Sequence, residues 1–364
     1  MTATHEHKEP LFRISKRTGI SKPKALFIRA AALLLALIVS GLVIFSIVEL
    51  SPLKVYVAMF EGAFGTSRRA WATIRDAMMM LCIAVGLAPA FKMKFWNVGA
   101  EGQILVGGIA TAACMIYFKS MPTPLLFLVM IVASLIAGGI WGIIPGIFKA
   151  RWNTNETLFT LMMNYVAIQL TSYCVSKWEN PAGSNSVGII NQKTHAGWMP
   201  SLLGQSYLLN VIIVLALAVA MYIYLKYSKH GYEIAVVGDS ENTARYAGIS
   251  VRKVFVRTMA LSGAICGLAG FLAVSGASHT ISSSTAGGRG FTAIIVAWLA
   301  KFNTFVMILI SFLLIFLEKG AIEIASRYQL NDYASEIITG IILFFILGSE
   351  FFINYKVNLR RKHH

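Results

Sequence analysis

Long apolar runs, each close to the length of a membrane-spanning helix, alternate with short polar connections along this chain of 364 residues. A helix needs about 20 mostly apolar residues to cross the hydrocarbon core of a bilayer. This pattern predicts ten segments, at 26–50, 74–91, 97–118, 125–148, 156–175, 207–225, 258–277, 291–300, 304–317 and 337–353. The eighth is too short for a full span and is predicted to be a half-helix or a tilted piece. The stretch 51–69 is too mixed to span and is predicted to be an amphipathic piece at the outer surface.

Glycine patterns mark two of these spans as closely packed. Gly138, Gly142 and Gly146 recur at every fourth position of the fourth span, and Gly263 and Gly267 repeat the spacing in the seventh. Small residues at this spacing let two helix backbones approach each other. We therefore expect close helix contacts along both faces.

The polar loop 226–257, between the sixth and seventh spans, contains a short helix of its own. Asp239 or Ser240 can cap its first turn, and Gly248 can end it in a left-handed conformation. Two turns, over 241–247, are not stable alone in water, so this helix needs a surface on which to dock. It is either an ordinary capped linker or a coupling helix, the element that a cytoplasmic motor protein contacts in a transporter. The second interpretation assigns the motor contact to Gly238, Asp239, Glu241, Asn242, Ala244, Arg245, Tyr246, Ala247 and Gly248.

Composition and charge support a membrane protein with defined sidedness. The chain is 57% hydrophobic and 13% charged, whereas about 25% of residues are charged in soluble domains. The net charge of +16 reflects basic residues at the ends of apolar runs, which argues against a nucleic-acid partner. With the N-terminus inside, 22 of the 32 Lys and Arg residues fall on the cytoplasmic side. The sequence thus predicts an all-α polytopic membrane protein of about ten transmembrane helices, with both termini cytoplasmic.

The domain organisation that follows is simple. A basic N-terminal tail, 1–25, precedes a single transmembrane domain, 26–353, which includes the loop 226–257, and a basic C-terminal tail, 354–364, ends the chain. The N-terminal tail is expected to be flexible. It is too long and too charged for a usual cleaved signal peptide.

The sequence contains no recognisable catalytic or metal-binding set. The four Cys, at 82, 114, 174 and 266, lie inside apolar runs and are interpreted as small packing residues. Motifs of zinc proteases, serine hydrolases, P-loop NTPases and dinucleotide-binding enzymes are absent. We expect no cofactor in this chain, and we expect that it cannot hydrolyse ATP itself.

Polar residues in or beside the spans are candidates for a substrate path: Asn97, Glu101, Gln103, Asn155, Glu156, Asn164 and Gln169. Charges and amides in a membrane must face protein or a water-filled cavity. Glu101 and Gln103 either line the path or form a hydrogen-bond network at a helix end. Asn155 and Glu156 likewise either line the path or serve a helix end, where Glu156 can cap the fifth span. Asn164 and Gln169 are either interhelical ties or substrate contacts.

Arg289 is the remaining charged residue with two interpretations. It precedes the eighth predicted span and is placed near the outer surface by the sequence. It could meet an extracytoplasmic binding protein there, but contact with a lipid headgroup is the favoured interpretation.

Five segments carry a resemblance to a known family: FWNVGAEGQILVGG at 95–108, FKARWNTNETLFTLMMNYVA at 148–167, GYEIAVVGDSENTARYAGISV at 231–251, SGAICGLAG at 262–270 and GGRGFTAIIVAWLA at 287–300. Together they resemble permease subunits of nucleoside and simple-sugar ABC importers, a family that also includes ribose and branched-chain amino-acid permeases. The resemblance covers most of the chain from about Ser51 onward. Two departures stand out: Trp96 replaces a lighter residue, and the sequence AKFN at 300–303 replaces an expected Gly and Pro.

The resemblance implies a transport subunit of the bacterial plasma membrane that works by alternating access. Its implied partners are a cytoplasmic ABC ATPase that uses ATP and Mg, an extracytoplasmic substrate-binding lipoprotein or periplasmic protein, a second permease subunit that is a paralogue rather than an identical copy, and membrane lipid. The implied substrate is a nucleoside or a related simple sugar, with ribose or a branched-chain amino acid as alternatives. A secondary carrier is the competing class, but it would carry ionisable residues at the span centres, where this sequence has almost none. A membrane enzyme lacks any catalytic set.

Overall fold

The computed structural model describes residues 12–17, 20–48 and 51–329 and, beyond these, only 337, 340–342, 344–345, 348–349, 351–353 and 355–359. The tenth predicted span, 337–353, therefore lies partly outside the described residues, as do most of both tails. The elements in chain order are β1 (Phe12–Lys16), α1 (Lys22–Val48), α2 (Pro52–Phe64), α3 (Ser67–Lys92), α4 (Ala100–Tyr117), α5 (Thr123–Trp152), α6 (Glu156–Trp178), α7 (Leu208–Tyr227), α8 (Lys229–Asp239), α9 (Glu241–Tyr246), α10 (Val251–Ala273) with a π-helical turn (Val274–Ser278), α11 (Arg289–Leu299), α12 (Thr304–Arg327) and β2 (Tyr355–Leu359).

The prediction of an all-α polytopic membrane protein is confirmed. Among the described residues, seven helices are long and apolar enough to cross a membrane: α3, α4, α5, α6, α7, α10 with its π turn, and α12. The first predicted span is α1, and the short eighth span is the 11-residue helix α11. The total of ten spans and the side on which the termini lie stay predictions.

The chain divides into two compact units, 67–315 and 1–66 with 316–364, where the sequence suggested one transmembrane domain. Two spans form the interior of the unit 67–315. The apolar stretches of α3 and α10 are 89% and 83% buried, against 28% for each of α5, α6 and α7. The last three helices are therefore the outer layer, and α3 and α10 are the scaffold on which the functional segments are placed.

The glycine strips form close helix contacts in this unit, as the sequence predicted. A Cβ atom added to Gly138 or Gly142 would lie closer than 3.0 Å to backbone carbonyl oxygens of α10. The reverse holds for Gly263 and Gly267, whose added Cβ atoms would meet backbone oxygens of α5. The backbones of α5 and α10 are thus in direct contact, which side chains larger than hydrogen would prevent.

Two ends of this unit can be told apart. At the basic end, α3, α5 and α7 finish with Lys92, Lys149 and Lys226. At the opposite end, the long loop 179–206 packs on the π turn after α10. The N–H of Met199 donates to the Ser275 carbonyl (3.1 Å), and the Trp198 ring stacks on that of His279 with centroids 3.8 Å apart.

The unit formed by 1–66 and 316–364 contains a helix packed on α12 and a short strand pair. The helix α2 packs against α12, where Gly62 allows close approach to Glu323 and where Arg327 pairs with Glu61. The exposed residues of α2 include Leu53 and Phe60, and the location of the stretch 51–69 at the outer surface stays a prediction. The described parts of the two tails differ from the predicted flexible tail, because β1 and β2 pair as an antiparallel ladder that satisfies their backbone groups.

Candidate functional site

The buried polar residues of the unit 67–315 gather where α4 begins. The chain leaves the helical conformation after Lys92, Lys94 has a φ of 57°, and α4 starts only at Ala100. The carboxylate of Glu101, which is 8% exposed, accepts hydrogen bonds from the backbone N–H groups of Gly288 (2.7 Å) and Gly290 (2.9 Å). These groups belong to the first turn of α11, and a carboxylate is favourable at the positive end of a helix. Glu101 therefore fixes the point at which α11 starts.

A buried charge cluster also holds the start of α11, through contacts with α3. Arg289 lies between the two glycines that Glu101 binds, and its guanidinium is 3.6 Å from the carboxylate of Asp76 in α3. Asp76 is 1% exposed and also pairs with Arg75 at 2.8 Å. The guanidinium of Arg75 in turn lies 4.8 Å from the centre of the Tyr207 ring. Burying a carboxylate needs such compensation, because removing one partner of a buried pair is strongly destabilising.

This cluster gives Arg289 intramolecular contacts that the sequence analysis did not anticipate. Its side chain contacts Asp76 and the sulfur of Met79 in α3, and a contact with a lipid headgroup or a binding protein stays a prediction. Asp76 and Arg75 were missed as functional candidates. The available signal was an acidic residue inside a predicted span, which is uncommon enough to demand a partner. The partner itself lies more than two hundred residues away in the chain, so local pattern could not name it.

Asn97 and Gln103 form the second part of the polar region. The Asn97 amide nitrogen donates to the hydroxyl of Ser262 in α10 (3.1 Å) and to the Gln103 side-chain oxygen (3.3 Å), while its oxygen accepts from the Gly99 N–H (3.0 Å). Asn97 is fully buried and Gln103 is 1% exposed. These contacts are those of a network that ties the start of α4 to α10, one of the two interpretations that the sequence left open.

Asn164 makes a comparable tie from α6. Its side-chain oxygen accepts from the N–H of Gly102 and its nitrogen donates to the carbonyl of Val98, both at 2.9 Å. The residue is 2% exposed. The amide thus bonds the irregular segment before α4 and the first turn of α4, which are the contacts expected of an interhelical tie, and substrate contact by Asn164 stays a prediction.

The remaining three path candidates lie elsewhere. Asn155 is the N-cap of α6 and accepts from the Leu158 N–H (3.1 Å), so the cap is Asn155 and not Glu156. Glu156 forms an ion pair with Lys149 at 2.9 Å, at the basic end. Gln169 is exposed near the middle of α6, away from the other candidates. Of the seven residues, the structure therefore brings together Asn97, Glu101, Gln103 and Asn164.

The predicted coupling loop contains two helices instead of one. Ser240 caps α9 by accepting from the N–H of Thr243 (3.2 Å), as the sequence indicated. Gly248 has a φ of 75° and ends the helix, while the N–H of Ile249 reaches back to the Ala244 carbonyl (2.9 Å). This is the pattern of a Schellman motif. The additional helix, α8, precedes α9 directly, and we call the pair α8–α9 the coupling unit.

Ala244 and Gly238 do not face outward as the sequence interpretation required. Ala244 is fully buried within the chain, so it cannot present a surface to a motor protein. Gly238 is also buried, and a Cβ there would clash with the carbonyl oxygen of Lys92. These two residues hold the coupling unit together and against α3. The exposed residues of α9 are Glu241, Asn242, Thr243, Arg245 and Tyr246, and Tyr246 is 94% exposed.

The coupling unit is also joined to the central helix α10 by an ion pair. The guanidinium of Arg257 in α10 donates to the carboxylate of Glu233 in α8 at 2.8 Å. This hydrogen bond holds the pKa of Glu233 below its ordinary value. This ion pair is a direct contact between the coupling unit and α10, whose backbone contacts α5.

A basic cleft of about 560 Å³ lies beside α9. Its charged lining residues are Lys149, Arg151, Arg245, Arg252 and Glu241. Two of the cations are already paired, Lys149 with Glu156 and Arg245 with Glu241 at 3.2 Å. The surplus of positive charge makes this face complementary to an acidic partner surface.

Known proteins resemble this chain over most of its length. A protein-family model described as branched-chain amino acid transport system / permease component matches residues 70–347. The guanosine ABC transporter permease protein NupP of Bacillus subtilis (strain 168) is 32% identical over 81% of this chain and 85% of that protein. The glucose ABC transporter permease protein TsgB13 of Haloferax volcanii is 27% identical over 90% and 88%, and the nucleoside ABC transporter permease protein NupB of Lactococcus lactis subsp. cremoris is 26% identical over 85% and 88%.

These likenesses agree with the seven apolar helices, which indicate a multi-pass protein of the bacterial plasma membrane. Proteins of this kind operate as transport subunits that act with ATPase and substrate-binding partners. Because the family model covers residues 70–347 and a relative reaches 32% identity over most of both chains, the chain belongs to the branched-chain amino acid transport system / permease component family and is an ABC transporter permease.

Proposed function

We propose that this permease moves a nucleoside into the cytoplasm, driven by a separate ATPase. The observation that carries the proposal is the 32% identity to a guanosine ABC transporter permease over 81% of the chain. A second relative named for nucleoside transport, at 26% identity over 85% of the chain, supports it.

The energy for transport enters through the coupling unit. Tyr246 and Arg245 project from α9, and tyrosine and arginine are the residue types that most often dominate interface energies. The basic cleft beside them suits an acidic rim on the ATPase. In this proposal the ATPase binds ATP and Mg, and the permease chain has no nucleotide site of its own.

Transmission to the membrane follows the contacts of the coupling unit. A displacement of α8 is passed to α10 by the pair of Glu233 and Arg257 and to the end of α3 by the close contact at Gly238. Because α10 and α5 touch backbone to backbone, they move as one body. The Glu101 and Asp76 contacts keep the start of α11 attached to α4 and α3. The spans thus swing as packed groups in alternating access.

The substrate path is proposed to run along the outward face of α6. Thr160, Asn164 and Ala167 are on the buried face of this helix, and Gln169 is exposed on the other. Leaving an amide in hydrocarbon without a partner costs several kcal/mol, so Gln169 is expected to meet a second permease subunit or the aqueous path between them. We propose a paralogue as that second subunit and an extracytoplasmic binding protein as the source of substrate.

A simple sugar is the second candidate substrate. The observation that favours it is the glucose ABC transporter permease protein, 27% identical over 90% of this chain. The polar region at the start of α4 does not discriminate between the two, because its amides and carboxylate are bonded to this chain's own groups.

Uptake by the reconstituted importer distinguishes the two candidates. The permease, its ATPase, its second permease and its binding protein are placed in liposomes, and ATP-dependent uptake of radiolabelled guanosine is measured with excess unlabelled uridine or glucose. Uptake of radiolabelled glucose is measured in parallel. The proposal predicts uptake that guanosine saturates, that uridine reduces and that glucose does not change. Uptake of labelled glucose with no uptake of guanosine would reassign the substrate to a sugar.

A further inference from the structure

We propose that a cleft at the basic end binds the phosphate headgroup of an anionic phospholipid. The cleft lies between the ends of α3 and α7 and the connection from α11 to α12, and its volume is about 270 Å³. Its lining residues are Lys92, Tyr222, Leu225, Lys226, Lys301, Phe302, Asn303 and Thr304. It is distinct from the basic cleft beside α9, and we call it the lysine cleft.

The charge of the lysine cleft points to an anion. Three lysines line it, and none of the described residues that line it is acidic. Lys92 uses one ammonium N–H on the Leu225 carbonyl (3.2 Å), which leaves two donors. The ammonium of Lys226 donates to the hydroxyl of Tyr222 at 2.9 Å, which holds it at the cleft. These bonds hold two of the three ammonium groups, and the three lysines together supply several donors for the acceptor oxygens of one phosphate group.

The protein also fixes the backbone of the cleft. Lys301 and Phe302 both adopt left-handed conformations, with φ values of 48° and 59°. Asn303 then caps α12 by accepting from the N–H groups of Phe305 (3.0 Å) and Val306 (3.4 Å). The backbone that carries Lys301 is therefore an ordered turn rather than a loose loop.

The surroundings select a lipid over a soluble anion. Next to the cleft, α7 exposes Val219 and Ile223, and α12 exposes Phe305 and Leu309, which is 71% exposed. Apolar side chains of spanning helices face acyl chains, so a headgroup in the cleft would have its tails beside this surface. The volume of 270 Å³ is just below the roughly 300–1,000 Å³ of pockets that enclose whole small molecules. The positive-inside bias places this end in the cytoplasmic leaflet, where anionic lipids are concentrated.

Lipid retention by the purified protein tests this proposal. Native mass spectrometry counts dioleoyl phosphatidylglycerol and dioleoyl phosphatidylcholine retained by the delipidated full-length chain at matched concentrations. The test variant is Lys226→Gln with Lys301→Asn, because asparagine tolerates the left-handed backbone at position 301. The control is Lys229→Gln with Lys253→Gln, which removes two exposed cations of the same end outside the cleft. Size-exclusion profiles establish that both variants fold, and Lys226→Gln alone replaces the double variant if it does not.

We expect the natural chain and the control to retain the glycerol lipid in preference to the choline lipid. The test variant should lose at least roughly tenfold in affinity for the glycerol lipid, because each basic residue near an anionic surface contributes to binding. Equal retention by test and control variants, or no preference between the lipids, would overturn the proposal. Binding of inorganic phosphate that matches the glycerol lipid in affinity would overturn the assignment to a lipid and leave a site for a soluble anion.

Discussion

At the scale of single residues, buried polar side chains in this permease serve the irregular backbone between helices. Glu101 accepts from two N–H groups at the start of α11, and Asn164 bonds the backbone on both sides of the start of α4. Backbone N–H and C=O groups that lie outside a helix within the membrane have no water as a hydrogen-bond partner, so they need side chains of this kind. These side chains therefore make the helix break before α4 and the start of α11 possible.

Asn164 and Gln169 are expected to respond differently to the same substitution. Asn164→Leu leaves the Gly102 N–H and the Val98 carbonyl without their partner, and each unsatisfied buried group costs about 1–3 kcal/mol. The thermal unfolding midpoint in detergent should fall clearly. Gln169→Leu should keep that midpoint and lower ATP-dependent uptake, because Gln169 is exposed on the proposed path.

The outcome that contradicts this division is specific. If Asn164→Leu keeps the unfolding midpoint and abolishes uptake, its amide contacts substrate and is not a tie. If Gln169→Leu leaves uptake unchanged, the outward face of α6 is not the path.

At the scale of elements, the contact between α5 and α10 depends on hydrogen atoms in place of side chains. Gly142→Ala puts a methyl group closer than 3.0 Å to the Met259 carbonyl. Gly139→Ala is a matched control on the same helix, since its methyl group would lie at an ordinary 3.4 Å from the Ala260 carbonyl. Forcing atoms into a packed contact costs about 1–3 kcal/mol, whereas alanine is favoured over glycine in a helix by about 1 kcal/mol.

We therefore predict opposite changes in thermal stability for the two alanine variants in detergent. Gly142→Ala should lower the unfolding midpoint, and Gly139→Ala should keep or raise it. Equal midpoints would mean that the α5–α10 contact yields easily and that the two helices do not move as one body.

The packing of the loop 179–206 is expected to depend on pH. His279 stacks on Trp198, and burial lowers the pKa of its imidazole. Arg75 and His195 also disfavour its charged form, while the backbone of Ser275 favours it. Because the pKa of His279 is lowered in the folded state, its contribution to stability is fully present above the ordinary histidine pKa of 6.5. That contribution is lost as the pH falls below this value.

Hydrogen exchange of the loop amides measures this dependence. The N–H groups of Ile190 and Met199 donate to the backbone carbonyls of His279 and Ser275. After correction for the intrinsic effect of pH, peptides that contain these two residues should therefore exchange faster at pH 5.5 than at pH 7.5. His279→Asn keeps a left-handed conformation accessible and removes the titrating ring. If the natural chain and this variant show the same change with pH, His279 does not control the loop.

How far the sequence could predict these elements depends on the range of the interaction. The apolar runs predicted the spans, the short run before Ala300 predicted the half-helix α11, and the glycine spacing predicted close helix contacts on α5 and α10, but not that these two helices contact each other. The pairing of Asp76 with Arg289 depends on how distant segments pack, so no local pattern contained it. The burial of Ala244 was missed for a similar reason: its environment is set by α8, a helix that the sequence analysis did not separate from the loop.

At the scale of the whole molecule, the coupling unit is the only place we assign to energy input from the ATPase. Its inward side is fixed by the buried Ala244 and by the pair of Glu233 and Arg257, and its outward side presents Tyr246. This division separates residues that transmit movement from the residue that receives it. Substitutions at Tyr246 should therefore uncouple the transporter without unfolding the membrane part.

The most direct test is substrate-stimulated ATP hydrolysis by the complex in liposomes, with Tyr246→Ala compared with Tyr117→Ala. Tyr117 is 65% exposed at the opposite end and serves as the matched control. Truncating a dominant interface residue costs at least about 2 kcal/mol, or roughly 30-fold in affinity. We predict that Tyr246→Ala loses both co-purification with the ATPase and stimulated hydrolysis, while Tyr117→Ala keeps both. If the two variants behave alike, α9 is only a linker and the ATPase engages this permease elsewhere.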